Sequence, residues 1–388
     1  MKALKKLFDN MKPSFQEGGK LHAFRSVYDG FETFAFVPNE TSRAGSVNIH
    51  DAIDSKRIMS LVVIALMPAL IFGMYNVGYQ NALASGIQAT CLDMLIYGAL
   101  AVLPKIIVSY IVGLGIEFTV AQWKNEEIHE GFLVSGIIIP MIIPVNTPLW
   151  MLAIAVAFSV ILAKEIFGGT GMNIFNPALI TRAFLFFSYP AAMTGDDNVW
   201  VSQSTIFGLG GNVPDAYSAA TPLGQAVQDG FAGFDAQTIN DAIVGLIPGS
   251  VGETSIIAIA LGALLLLWTG VASWKTMISV FVGGAAMGWL LEGVGGNQIE
   301  WWQHLVLGGF AFGAVFMATD PVTSPRTEGG KWIFGLFIGA LAIIIRVLNP
   351  GFPEGMMLAI LLMNVFAPLF DYFFVQSNIN KRAKRAAK

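Results

Sequence analysis

Pro144-Val-Asn-Thr-Pro148 returns, slightly altered, as Pro321-Val-Thr-Ser-Pro325, 177 residues further on. Two other pairs keep nearly the same offset: His129 matches His304 at 175 residues, and Asn176-Pro177 matches Asn349-Pro350 at 173. Matches in one order at one spacing mark an internal duplication. Working outward from the motif, apolar segments lie near 58–79, 98–123, 132–146, 149–163 and 174–190, then near 255–273, 276–294, 303–319, 332–347 and 356–375. About 20 apolar residues cross a bilayer core as a helix. Five segments per copy is an odd number, so the two copies insert in opposite directions, as in inverted-repeat membrane folds. The expected fold is an all-α polytopic membrane protein with about ten transmembrane helices in two inverted five-helix repeats, some broken or short. Pro140, Pro144 and Pro177 are the expected breaks. In lipid such breaks survive where protein or a water-lined cavity satisfies the freed backbone groups.

Composition agrees. Of 388 residues 55% are hydrophobic and 12% charged, against about 25% charged in soluble domains. Cys91 is the single cysteine, which excludes a Cys-ligated iron–sulfur cluster, an internal disulfide and c-type haem attachment within this chain. The histidines (His22, His50, His129, His304) form no i,i+4 pair, so no metal site is expected. A redox role then needs an organic cofactor or a partner's centre. Nucleic acid is not among the expected partners.

Basic residues set the orientation. Residues 1–57 carry nine Lys/Arg, and Lys381, Arg382, Lys384, Arg385 and Lys388 close the chain. Lys124, Lys164, Lys275, Arg326 and Lys331 fall in alternate connections, while 80–97, 191–254, 295–302 and 348–355 have none. By the positive-inside rule both termini are cytoplasmic and the 191–254 loop is outside. The expected divisions are a basic leader (1–57), a first repeat (58–190), an outer loop (191–254), a second repeat (255–375) and a basic tail (376–388). The leader mixes Lys5, Lys6, Lys12 and Lys20 with Phe8, Phe15, Phe24, Phe31, Phe34 and Phe36. Two readings stand side by side: an amphipathic segment on lipid or a partner, and a simple topogenic leader.

Three places could carry chemistry. Asp215-Ala-Tyr-Ser-Ala-Ala-Thr221 puts a hydroxyl between small neighbours in the outer loop; ordinary loop composition is the alternative. Gly168-Gly-Thr-Gly171 runs through Asn173 and Asn176 into a helix opened by Pro177. Glycines let a flat or anionic ligand approach backbone N–H groups, or serve only close packing. Glu117, Asp320 and Asp371 are ionisable groups in or beside apolar segments, where hard-cation binding and plain interfacial solvation are both open. Glu117 has Gly113 one turn before it, and Glu130 sits in a short connection beside Gly131 and Phe132.

The Asp215–Thr221 run resembles the D-x-x-[ST]-G-A-T signature at which a periplasmic flavin transferase esterifies FMN to threonine, with Ala219 where the signature usually has Gly. From leader to tail the chain resembles the B-subunit family of bacterial sodium-translocating NADH:quinone oxidoreductases, related to the D subunits of Rnf complexes. The resemblance is carried by Phe167-Gly-Gly-Thr-Gly171, Asn176-Pro-Ala-Leu179, Arg182-Ala-Phe-Leu-Phe-Phe187, Tyr217-Ser-Ala-Ala-Thr221 and Ile247-Pro-Gly-Ser250. It continues through His304-Leu-Val-Leu-Gly-Gly-Phe-Ala-Phe-Gly313, Met317-Ala-Thr-Asp-Pro-Val322 and Pro353-Glu-Gly-Met-Met-Leu-Ala-Ile360.

The resemblance implies a multi-pass subunit of a bacterial inner-membrane translocase with partner subunits A, C, D, E and F. Those partners carry the NADH, FAD and iron–sulfur sites. Electrons pass from a flavin on the C partner to FMN on this chain, then to riboflavin and ubiquinone, as Na+ leaves the cytoplasm. It further implies covalent FMN on Thr221 with Ser218 beside it, and riboflavin at Asn173 and Asn176. Gly113, Glu130 and Phe132 match a quinone pocket, and Glu117, Asp320 and Asp371 a sodium pathway. No residue is assigned as catalytic. Leu114 and Leu133 replace a family Gly and Phe, which alters the quinone pocket's shape. An Rnf-type ferredoxin:NAD oxidoreductase subunit and a small-solute channel of the same fold are the alternative functions.

Overall fold

The computed structural model describes residues 2–16, 19, 21–36, 55–124, 131–193, 198–214, 217, 219–229, 234–294, 297–349, 351 and 354–387. Its regular elements are helical, apart from one isolated bridge between Ile206 and Leu209. The leader forms α1 (Lys2–Phe15) and α2 (Arg25–Ala35). The first half continues as α3 (Ser55–Ser85), α4 (Cys91–Lys124), α5 (Phe132–Ile142), α6 (Leu149–Ser159) and α7 (Pro177–Ser188). Two short helices in the 191–254 loop, α8 (Pro222–Gln228) and α9 (Ala236–Val244), lead to α10 (Ile256–Trp268) and α11 (Trp274–Leu290). Then come α12 (Gln303–Val306), α13 (Phe310–Phe312), α14 (Glu328–Leu348) and α15 (Met356–Ala386). Helix covers the expected apolar segments wholly or in part: 132–146 is helical only to Ile142, and 303–319 is broken into short pieces. Five helical stretches are long and apolar enough to cross a membrane by length and composition: Ser55–Ser85, Cys91–Lys124, Leu149–Phe167, Glu328–Leu348 and Met356–Ala386.

Apolar side chains cover helix flanks, while some polar side chains are buried between the helices. Ile71, Ile107, Ile111, Leu261, Leu264 and Phe373 are exposed on helix flanks, whereas Asn76, Gln80, Asn81, Ser109 and Asn364 are buried. Water would penalise so much exposed apolar surface, and hydrocarbon does not. Trp123, Trp268, Trp274 and Trp289 are exposed at helix ends, the place of an interfacial aromatic belt.

Of the expected breaks, Pro140 lies inside α5, Pro144 begins the turn after it, and Pro177 occupies the first position of α7. The carbonyls freed where α5 stops are met by the last residues of the 191–254 loop. Gly252 N donates to Met141 O at 2.8 Å, and the Ser250 hydroxyl donates to Ile142 O at 3.4 Å. The rest of that loop is anchored as well. The Asn81 amide donates to Ser202 O and Gly211 O at 2.8 and 2.9 Å, and the Tyr97 hydroxyl reaches Ser204 O at 2.6 Å.

Among the described leader residues, α1 and α2 pack as a helical pair. Phe15 stacks on Tyr28 with ring centroids 5.0 Å apart, and the Tyr28 hydroxyl donates to Phe8 O at 2.8 Å. Burial, then the nearby Glu32 carboxylate, pushes that phenol up to about 12. The pair docks on α4, where the Ser26 hydroxyl donates to Gln122 Oε1 at 2.9 Å. At the other terminus α15 runs on through the basic tail, with no helix breaker after Pro368. Lys384 and Arg385 lie in its last turn, complementing the helix dipole.

Candidate functional site

The glycine-rich stretch makes a sharp turn. Gly168, Gly169 and Gly171 adopt φ of +112°, +90° and +92°, a region that side chains with a Cβ rarely enter. The chain then passes Asn173 and enters α7 at Asn176, whose Oδ1 accepts from Ala178 N at 2.9 Å. Asn176 Nδ2 faces Asp320 Oδ2 at 3.4 Å, across 144 residues of sequence. Residues matched to riboflavin and a residue matched to sodium thus share one cleft. It is open to one side with a cavity volume of ≈ 90 Å³, and Lys164 and Thr170 also line it. Val62, Ile138, Leu266 and Phe316 supply apolar wall. Asp320 is held by neutral donors: Val322 N at 3.1 Å, the Thr323 hydroxyl at 3.0 Å and the Asn176 amide. Asn349, which pairs with Asn176 in the sequence repeat, is exposed after the C-terminus of α14 and caps no following helix.

Beside the cleft, α6 widens into a π-helical turn (Val160–Lys164) and closes with a 3₁₀ turn (Glu165–Phe167). Single π turns often mark functional positions. This one carries Lys164 inward, 3% exposed, onto the Glu117 carboxylate of α4, itself 5% exposed. Glu117 Oε2 is buried with no partner among the described residues. The positive-inside count treats Lys164 as a connection charge; the structure buries it, because the π turn rotates it away from the surface.

The residues matched to quinone binding include two that touch. A Cβ on Gly113 would lie 2.0 Å from the Phe132 ring, and Phe132 is fully buried. Tyr110 approaches that ring edge-on at 6.5 Å and donates to Leu133 O at 2.5 Å. Glu130 lies outside the described residues. Asp371 anchors α14: its oxygens accept from Arg326 N at 2.8 Å, Thr327 N at 2.8 Å and the Thr327 hydroxyl at 2.6 Å.

Thr221 is the N-cap of α8, its Oγ1 accepting from Gly224 N at 3.1 Å. It is half-buried and lines a narrow cleft with Trp200, Ser250, Thr254 and Glu354. The flanking Ala219 and Ala220 are buried, so their small size serves packing as well as access. Asp215 and Ser218 lie outside the described residues. Two carboxylates that line this cleft, Glu253 and Glu354, share Arg182, which donates to Glu253 Oε1 at 2.8 Å and pairs also with Glu354. This three-charge cluster joins α7 to both ends of the second half. In sequence Arg182 stands out only as a basic residue within an apolar segment, and the partners, 71 and 172 residues away, have no local signature. Arg346, also buried, donates to His304 O at 2.6 Å and Leu307 O at 3.2 Å.

These features define a helical membrane protein with ionised groups buried between its helices and a glycine-turned cleft against the second half. A family model described as NQR2, RnfD, RnfE matches residues 42–380, and the chain belongs to that family. A Chromohalobacter salexigens protein, named as the B subunit of the Na(+)-translocating NADH-quinone reductase, is 42% identical to it, over 99% of this chain and 97% of its own. Proteins of the same name from Pseudomonas paraeruginosa and Klebsiella pneumoniae are 40% and 41% identical, each over 98% of this chain and 99% of their own.

Proposed function

We propose that the chain is the membrane subunit of a bacterial inner-membrane, sodium-translocating NADH:ubiquinone oxidoreductase, assembled with five other subunits. The observation that carries this is likeness to so-named relatives along nearly the whole of both chains. In this reading the helices form two inverted five-helix repeats with both termini cytoplasmic. The 191–254 region lies outside, within reach of a periplasmic flavin transferase.

FMN is esterified to Thr221 and riboflavin sits in the glycine-turned cleft; when present, flavins supply single-electron transfer between the partners' centres and ubiquinone. The fit is supported from this chain's own atoms. Thr221 Oγ1 reaches a cleft whose Thr254 hydroxyl is buried and unpartnered. The inner cleft offers apolar walls and a few convergent polar groups, the usual make-up of a ligand pocket. The protein's contribution is positioning and electrostatics. Thr221 fixes one ring system at the outer face, Asn173 and Asn176 orient a second, and Arg182 balances the carboxylates between them. Ubiquinone binds near Gly113, Phe132 and Glu130, and the Phe132 ring must rotate off Gly113 to admit a planar head group. Glu117, Asp320 and Asp371 form the sodium pathway. An Rnf-type role ranks second, because the near-full-length relatives bear the quinone-reductase name.

The test is in-gel flavin fluorescence after denaturation, with the protein made alongside an active flavin transferase. The wild type fluoresces and Thr221→Ala does not. Fluorescence retained in Thr221→Ala would move the attachment to another residue. Sodium-stimulated ubiquinone reduction by the assembled complex checks the activity itself.

A further inference from the structure

Two ion pairs cross between α4 and the end of α6. Glu117 and Lys124 belong to α4, Lys164 and Glu165 to the π and 3₁₀ turns; Lys164 holds Glu117, and Lys124 lies 4.0 Å from Glu165. The pairs differ in depth. Lys124 is 36% exposed and Glu165 13%, while Lys164 and Glu117 are at 4% and 5%. A carboxylate thus stands near the surface and a second behind it, with Glu117 Oε2 buried and unpartnered. Lys164 also lines the cleft that contains Asp320, whose oxygens are held by neutral donors.

We propose that Lys164 is a tethered counter-ion for a sodium site at Glu117, entered past Glu165. This rests on the sodium reading of Glu117 given above and adds the residues that load and clear that site. A buried carboxylate left without a cation is strongly unfavourable. A lysine on a flexible four-carbon stem compensates it when sodium is absent. Sodium, a hard cation suited to carboxylate oxygen, competes with the ammonium for the same group. When sodium takes Glu117, the lysine swings toward Asp320, which lines the same cleft, so the displaced ammonium still faces a carboxylate. The exchange moves one charge along the cleft without stranding another.

Equilibrium binding of ²²Na⁺ to the purified complex in nanodiscs tests this. Lys164→Gln removes the competitor and is expected to tighten sodium binding about tenfold or more. Lys164→Arg, whose fork holds a carboxylate more firmly, is expected to weaken it. Glu117→Gln loses one sodium equivalent. If Lys164→Gln and Lys164→Arg both bind sodium as the wild type does while Glu117→Gln loses the equivalent, the counter-ion role is overturned and Glu117 stays a sodium ligand. If Glu117→Gln keeps the full equivalent, both readings fall. Should Lys164→Gln not assemble, unchanged affinity in Lys164→Arg alone overturns the proposal. Glu165→Gln is expected to slow sodium uptake severalfold; an unchanged rate removes Glu165 from the path.

Discussion

Gly113 and Phe132 lie on different helices, and the structure closes the gap between them with a ring. A methyl at 113 would overlap the Phe132 ring atoms at 2.0 Å, and overpacking of this kind costs about 1–3 kcal/mol. Gly113→Ala is therefore expected to lower the thermal unfolding temperature of the complex. Adding Phe132→Leu should recover most of the loss, since the smaller side chain vacates the overlap. Equal unfolding temperatures for wild type and Gly113→Ala would mean that the ring already sits elsewhere. Sequence reading finds both residues through a resemblance but not their contact, because nothing local to either states that the ring covers the glycine. Lys164 makes the same point. In sequence it reads as a connection lysine, and it becomes a buried partner of a carboxylate 47 residues away.

Among the elements, α14 and α15 show how one carboxylate serves a helix other than its own. Asp371 of α15 accepts two backbone N–H groups and a hydroxyl at the start of α14. Thr327, so held, caps α14 by accepting from Gly330 N at 3.3 Å. Asp371→Ala removes the acceptor of these exposed and part-buried donors, at about 0.5–1.5 kcal/mol per bond, and α14 is expected to gain hydrogen exchange at its first turn. Asp371→Asn keeps an acceptor oxygen and should lose less protection. Sodium dependence altered in Asp371→Asn with protection intact would assign the residue to the ion path; parallel losses in both variants would assign it to the helix start. Element positions were readable because apolar length is a local property. Prolines were the weaker guide: Pro68, Pro104 and Pro368 lie inside continuous helices while Pro144 follows a helix end. Neighbouring elements, not the proline alone, determine whether freed carbonyls find donors.

For the whole molecule the question is which face is outside. Cys91, the single cysteine, is exposed at the start of α4, in a connection the charge pattern places outside. A membrane-impermeant maleimide is therefore expected to label this subunit in spheroplasts, with Cys91→Ala as the blank. Labelling confined to inverted vesicles would reverse the orientation and put Thr221 in the cytoplasm, beyond a periplasmic transferase. The apolar flanks of the helices support a lipid surround, and the 191–254 loop is anchored through Asn81, Tyr97 and Ser250 to α3, α4 and α5.

Read alone, the chain establishes what depends on near neighbours: its helical, multi-pass membrane character, its apolar segments and the glycine turn into α7. Only the tertiary structure could decide which charges meet. Lys164 with Glu117, Arg182 with Glu253 and Glu354, and Asn176 with Asp320 are joined across 47 to 172 residues. The reason is physical. Segment length and turn chemistry are set by hydrophobicity and backbone sterics over a few residues. A buried ion pair is set by how whole helices pack, and no short stretch of sequence encodes that.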